Sequence, residues 1–322
     1  MKHSTRKKRK QNRKKEAISL GGFQTDKCIF INMMQNEGLG NQLFTYASGL
    51  LAKKVTGLPL CIIPVKGNPH SKNNYTSLFN GTVVDDIKEK QRIMEAKSII
   101  KDPRKNAANG VVGRWNNVNI DYNKNMNKGR NVKLPDILYH NYKGIESILP
   151  EVKESLVRNE FHKQKYLDLK ERYQIDSSKS AFIHVRRGDY VSRDWALQPS
   201  YYNVGLTKLR ENQAIQKVYV FSNDIYWCKN HDLEWKKHFD REITYVDNID
   251  ELETLYCMMI CEAGAIISNS TFSSWGVMIG ADTNASSTIV YPSPWIDKAP
   301  KNYKNPFSFP ERWIAVDNEN IK

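Results

Sequence analysis

Two adjacent guanidiniums, a carboxylate and an imidazole stand within six residues at His184-Val185-Arg186-Arg187-Gly188-Asp189. A guanidinium is permanently charged and planar and offers five N–H donors, which suits two-point contact with phosphate. Two of them could offset the charge of a phosphate-bearing leaving group without a metal. If the preceding apolar run is a strand, His184 and Arg186 lie two apart on one of its faces, and Arg187, Gly188 and Asp189 fall in the turn beyond. Asp189 could orient an arginine or contact a sugar hydroxyl. An equally weighted reading keeps the motif as an Arg–Asp ion pair that fixes a turn.

Two other segments carry groups of the same kind. Ser268-Asn269-Ser270-Thr271-Phe272-Ser273-Ser274 lies between an apolar run and a helical pattern from Ser273 to Gly280. A helix N-terminus offers N–H groups and a positive dipole end to a phosphate, although Ser and Thr there serve ordinary capping at least as often. Gly38-Leu39-Gly40-Asn41-Gln42 resembles the start of a dinucleotide fingerprint, but the third glycine is Leu43 and no acid ends the next strand, which counts against a nicotinamide cofactor. Its glycines allow close approach of a ligand, and Asn41 and Gln42 supply neutral amides. No D-x-D triplet, histidine cluster, G-x-S-x-G or Walker pattern occurs, so the metal-carboxylate, serine-hydrolase and P-loop chemistries lose support.

Positioning these groups requires strands that end at them. The run 27–33, the glycine turn and the pattern Leu43, Phe44, Ala47, Leu50, Leu51, Val55 read as strand, turn and helix, with another strand at 60–65. Residues 68–149 show little periodicity and resist partition. A helical pattern from about 150 then leads to strands at 181–186, 217–221, 243–246, 265–268 and 288–291. These alternate with helical stretches after Pro199, Asp224, Asp250 and Thr271. The alternation predicts a parallel, doubly wound sheet, whose ligands bind beyond the carboxyl ends of its strands. Arg186 to Asp189, Ser222 to Asp224 and Asn269 to Ser274 occupy those ends. The expected organisation is a basic tail (1–22), an N-terminal α/β unit (23–175), a Rossmann-like unit (176–296) and an extension packing back on the surface (297–322), Pro-rich and irregular from Pro292 to Pro310.

The net charge of +14 suggests a polyanion partner, yet residues 1–15 alone carry nine Lys or Arg and no acid, leaving about +5 for the rest. A solvated tail is the simpler reading; the alternative is a polyanion-binding protein driven by that tail. No 18-residue apolar stretch and no signal-peptide pattern are present, so neither a membrane span nor specific nucleic-acid binding is expected, and a cytoplasmic enzyme fits best. The five Cys are odd in number and scattered, indicating neither a disulfide framework nor a zinc site. Four Asn-x-Ser/Thr sequons, at Asn74, Asn80, Asn269 and Asn284, read as chance in an Asn-rich chain. Oligomeric state is not legible.

Four ordered motifs, GLGNQLFTYASG (38–49), HVRRGDY (184–190), FSNDIYWCK (221–229) and IISNSTFSSWG (266–276), give the chain its resemblance to the α-1,2-fucosyltransferases of glycosyltransferase family 11. The resemblance implies a GT-B type fold of two Rossmann-like units, 23–175 on the acceptor side and 176–296 binding GDP-fucose, and metal-independent, inverting transfer of fucose from GDP-fucose to the 2-hydroxyl of a galactose-terminated acceptor, with no cofactor. A fucosyltransferase of another linkage, or one using another GDP-sugar, is the nearest alternative. Carried over by position, Arg186 is the donor-phosphate arginine, His184, Arg187 and Asp189 its neighbours, Ser270 to Ser273 the later donor segment, and Asn41 the amide near the reacting groups. The expected catalytic residues are Arg186, Asp189 and Asn41. The expected donor-binding set adds Gly38, Gly40, Gln42, His184, Arg187, Ser222, Asp224, Asn269, Ser270, Thr271, Phe272 and Ser273. Two departures stand out: Ser274 where the family commonly has Trp, and Thr254, beside Glu251 and Glu253, where it often has Asp.

Overall fold

A computed structural model describes residues 28–33, 37–64, 75–84, 132–133, 142–296 and 309–318. The basic tail, Asn74 and most of the weakly periodic middle region lie outside them.

Two parallel sheets organise the chain. The first contains β1 (Ile29–Asn32), β2 (Leu60–Ile63), β3 (Thr82–Val83) and β4 (Val132–Lys133) in the order β3-β2-β1-β4, with helix α1 (Leu39–Thr56) crossing between β1 and β2. Helices α2 (Leu149–Leu156) and α3 (Glu160–Arg172) lead to the second sheet. Its strands are β5 (Ser180–Val185), β6 (Lys217–Ser222), β7 (Glu242–Tyr245), β8 (Gly264–Ile266), β9 (Thr288–Ser293) and β10 (Ile314–Asp317), in the order β10-β9-β8-β5-β6-β7. All the strand pairings among the described residues are parallel. Two α/β units of this kind are the GT-B type arrangement that the resemblance implies.

Helices α4 (Pro199–Glu211), α5 (Ile225–Asn230), α6 (Glu251–Ile260) and α7 (Thr271–Met278) wind the second sheet on both faces. Strand periodicity shows why. Ala181, Ile183, Val185, Val218 and Val220 join the core under α4, while Phe182, Tyr219 and Phe221 point the other way, into the core containing α6 and α7. That second core does not stop at the unit boundary. It runs on through Leu39, Leu43, Phe44 and Ala47 of α1, with Phe44 and Trp275 ring centroids 4.8 Å apart, and Tyr256 Oη donates to Leu156 O at 2.6 Å.

Several boundaries differ from the sequence reading. β5 ends at Val185, paired with Ser222, so Arg186 is the first residue off the strand and shares no strand face with His184. The glycine segment is not a turn: only Gly38 lies outside α1, and Gly40, Asn41 and Gln42 form its first turn. A side-chain-free position is needed there because a Cβ on Gly40 would stand 2.5 Å from Phe272 N of α7. Helix α7 begins at Thr271, two residues before the expected Ser273, because Ser270 Oγ caps it. At the C-terminus, β9 continues through Pro292 and Ser293, and Ile314–Asp317 adds an edge strand to the sheet. Trp313 Nε1 ties this segment down by donating to the buried Asp282 Oδ1 at 2.6 Å.

Candidate functional site

The strand order reverses at β5: the chain leaves it rightward to β6 and returns on its other side as β8. The carboxyl ends of β5 and β8 therefore border the crevice where parallel sheets bind ligands. His184 spans it. Its Nδ1 lies 2.8 Å from Ser268 Oγ, and its ring meets Phe272 edge-on at 5.6 Å. Burial, reinforced by the charge of Arg186, lowers the pKa of this imidazole to about 3. It is a neutral hydrogen-bonding group, not a phosphate-pairing cation.

That value has a stability consequence. The folded chain holds His184 unprotonated down to about pH 3, whereas the unfolded chain protonates it near its ordinary 6.5. The fold therefore binds fewer protons between those limits, and the contribution of His184 to stability is complete above the upper one and lost as pH falls through the window. Thermal denaturation should record a fall in Tm from about pH 7.5 to about pH 4.5 that is smaller in His184→Gln. An equal fall in the variant would remove His184 as its source.

Past the strand the two arginines diverge. Arg186 Nη2 donates to Asp189 Oδ1 at 2.7 Å, and its guanidinium lies 5.4 Å from the Tyr190 ring centroid. Arg187 turns toward β6, where Nε donates to Asp224 Oδ2 at 3.1 Å and the guanidinium stacks 4.3 Å from the Trp227 ring. Arg186 is thus in an Arg–Asp ion pair within the motif, as one reading of it has, whereas Arg187 pairs with an acid outside it; Arg187 is the more enclosed, its side chain 18% exposed against 36% for Arg186. Arg186 is held by one carboxylate at a half-open position, with donors to spare.

The FSND segment braces this turn. Ser222 Oγ donates to Val185 O at 2.9 Å and accepts from Asp224 N at 2.9 Å, while Asp224 caps α5 by accepting from Trp227 N. Asn223, absent from the expected site, is the central brace: its Oδ1 accepts from Arg187 N at 2.9 Å. Gly188 follows at φ +39, and a Cβ there would stand 2.3 Å from Asn223 Nδ2. Removing the brace should loosen the turn. Asn223→Ala is expected to cost about 1 kcal/mol of stability, the scale of one hydrogen bond, and Asn223→Asp, which keeps Oδ1, less. Denaturant titration of both variants against wild type tests this, and equal losses would argue against the Oδ1 contact.

Across the crevice, Ser268 and Ser273 are fully buried, and Asn269 and Ser270 nearly so. Ser270 Oγ caps α7 by accepting from Phe272 N at 3.3 Å, and Ser273 Oγ donates to the carbonyls of Ser268 and Ser270, so local backbone contacts account for these two hydroxyls. Asn269 differs. Its Nδ2 donates to Trp195 O at 2.8 Å and its backbone carbonyl accepts from Tyr190 Oη at 3.2 Å, but its buried Oδ1 has no hydrogen-bond partner among the described residues. Such an acceptor is costly unless something satisfies it.

The glycine segment meets this edge of the crevice rather than lining it throughout. Asn41 Oδ1 accepts from Thr271 Oγ1 at 2.7 Å, and Gln42 is buried, Nε2 donating to Glu37 O at 2.9 Å. Gly40 abuts the backbone of Phe272, and Leu39 N donates to Glu251 Oε1 at 2.9 Å. Glu251 is a second residue outside the expected set. Among the described residues no group of three His, Cys, Asp or Glu is placed to hold a metal ion, no helix is long and apolar enough to cross a membrane, and all five Cys are buried outside disulfides.

The fold and this crevice define a doubly wound α/β protein, with two parallel sheets and charged groups at a strand-order reversal. The sequence profile described as Glycosyl transferase family 11 matches residues 118–315, and the chain belongs to that family. It is similar to an alpha-1,2-colitosyltransferase of Escherichia coli, 31% identical over 158 residues, covering 47% of this chain and 52% of that protein. It is also similar to the O-antigen biosynthesis glycosyltransferase WbnK of Escherichia coli, 28% identical over 130 residues, 37% of this chain and 40% of that protein. The chain thus spans about half the length, or less, of these relatives. The crystal structure of the fucosyltransferase NodZ from Bradyrhizobium aligns with 80% of this chain and 94% of its own at 14% identity, with a TM-score of 0.48.

Proposed function

We propose that the protein transfers L-fucose from GDP-fucose to the 2-hydroxyl of a galactoside, with inversion and without a metal or cofactor. The observation that carries this reading is the convergence of the HVRRGD turn, the FSND brace and the SNSTFS segment on one crevice at the reversal between β5 and β8. Membership of a glycosyltransferase family supplies the reaction class. The α-1,2 linkage made by the colitosyltransferase relative supports the linkage.

In this mechanism the acceptor oxygen attacks the anomeric carbon, the bond from that carbon to the β-phosphate oxygen breaks, GDP departs, and the acceptor proton passes to a base or to water. Arg186 contacts the diphosphate and stabilises the charge that grows on it. Asp189, whose Oδ1 holds Arg186 Nη2, aims that guanidinium. Arg187, Ser222 and Asp224 keep the turn in shape, and the unmet Oδ1 of Asn269 accepts from a donor hydroxyl. His184, neutral, positions Ser268, and Ser270 to Ser273 present the head of α7 to the donor. Asn41 sets Thr271 against that segment, with Gly38, Gly40 and Gln42 shaping the turn that carries it.

The test is direct. Full-length protein, GDP-fucose and lactose are incubated in EDTA, and the product linkage is read by NMR; no transfer and no GDP release across a panel of galactosides would sink the reading. The colitosyltransferase relative gives a specific second donor, a colitose-carrying one, and competition between the two sugars in the same assay decides between them.

A further inference from the structure

We infer that Glu251 is a positioning residue for the transfer, fixing the first unit against the donor edge of the crevice; this rests on the function proposed above. An 18-residue helix presents unpaired N–H groups and a positive end at its start. Helix α1 nevertheless has no side-chain cap at Gly38 and no acid in its first turn. The anion comes from the other unit: Glu251, the first residue of α6, accepts from Leu39 N at 2.9 Å. A Cβ on Gly38 would stand 3.2 Å from Glu251 Oε1, so the chain entering α1 runs directly against the carboxylate.

The carboxylate is itself rigidly mounted. Asp250 and Glu253 form a reciprocal capping box around the start of α6, each hydrogen bond 2.8 Å long. Lys165 of α3 reaches Asp250 at 3.5 Å and Glu253 at 3.2 Å. Two residues along α1 from Leu39, Asn41 accepts from Thr271 at the head of α7. The heads of α6 and α7 therefore grip the same turn of α1. Loss of the Glu251 grip would let the acceptor side shift relative to the donor without touching the donor's own contacts, and small misplacements of reacting groups cost rate rather than donor affinity.

Glu251→Gln retains an oxygen that can accept from Leu39 N, whereas Glu251→Ala does not. In the full chain, Glu251→Ala should lower kcat by about tenfold or more while donor KM stays within about threefold, and Glu251→Gln should restore most of kcat. Amide exchange at Leu39 should quicken in the Ala variant and not in the Gln variant, a readout independent of activity. Unchanged kcat and unchanged exchange in Glu251→Ala would overturn the inference. So would a Gln variant as inactive as Ala, which would give the carboxylate a proton-transfer role. Should Glu251→Ala not fold, Glu251→Asp, with its oxygen drawn back by one methylene, is read the same way. If wild type transfers no sugar, the functional reading fails, and exchange at Leu39 still decides whether the grip exists.

Discussion

Arg186→Ala is expected to lower transfer from GDP-fucose by on the order of 100- to 1,000-fold, the scale of removing one preorganised donor from a charged transition state. Its fold should remain intact, because the Arg186 side chain is 36% exposed and its ion pair is with a similarly exposed Asp189. A surface pair of this kind contributes under about 1 kcal/mol, so Tm should barely move while kcat collapses. Arg186→Lys should rescue little, since one ammonium cannot both hold Asp189 and present a two-point edge to phosphate. Steady-state kinetics beside a thermal melt separates the two effects. Near-normal turnover in Arg186→Ala would refute the role.

Gly40→Ala is expected to damage stability and activity together. In an ordinary helix this substitution gains up to about 1 kcal/mol from propensity. Here the new methyl would stand 2.5 Å from Phe272 N and 2.7 Å from its Cα, and these are backbone atoms that cannot rotate aside. Helices α1 and α7 must part, and forcing extra volume into a packed contact costs about 1–3 kcal/mol or more, which outweighs the propensity gain. A drop of several degrees in Tm is expected, at roughly 2–4 °C per kcal/mol for a chain of this size class. Because Thr271 and Phe272 move with α7, donor KM should rise too. A Gly40→Ala protein with wild-type Tm would mean that the two helices do not cross this closely.

The second unit was legible because β5, β6 and β8 are buried on both faces and its strands are punctuated by polar turns, so β5, β6, β7 and β8 fall within a residue or two of the apolar runs. The motif positions followed from the rule that ligand groups follow parallel strands. Periodicity could not show which contacts each motif makes. In sequence Arg186 continues the alternation of β5, whereas pairing stops at Val185 and Ser222. Asn223 stood inside a quoted motif, yet its role depends on the Arg187 amide 36 residues away. Nothing in the sequence sets Glu251 apart from Glu253 beside Thr254, because its partner lies 212 residues back. The first unit resisted partition because its later strands, Thr82–Val83 and Val132–Lys133, are two residues long and carry no periodic signal.

The core that passes without a break from α1 into α6 and α7 limits how this protein can be recombined. A chimaera joined near residue 176, exchanging only the Rossmann-like half for that of a related transferase, would strand Leu39, Leu43 and Phe44 against a foreign Trp275 face. Donor preference should therefore travel intact only when α1 is transplanted with the half it grips, although some 120 residues of sequence separate them.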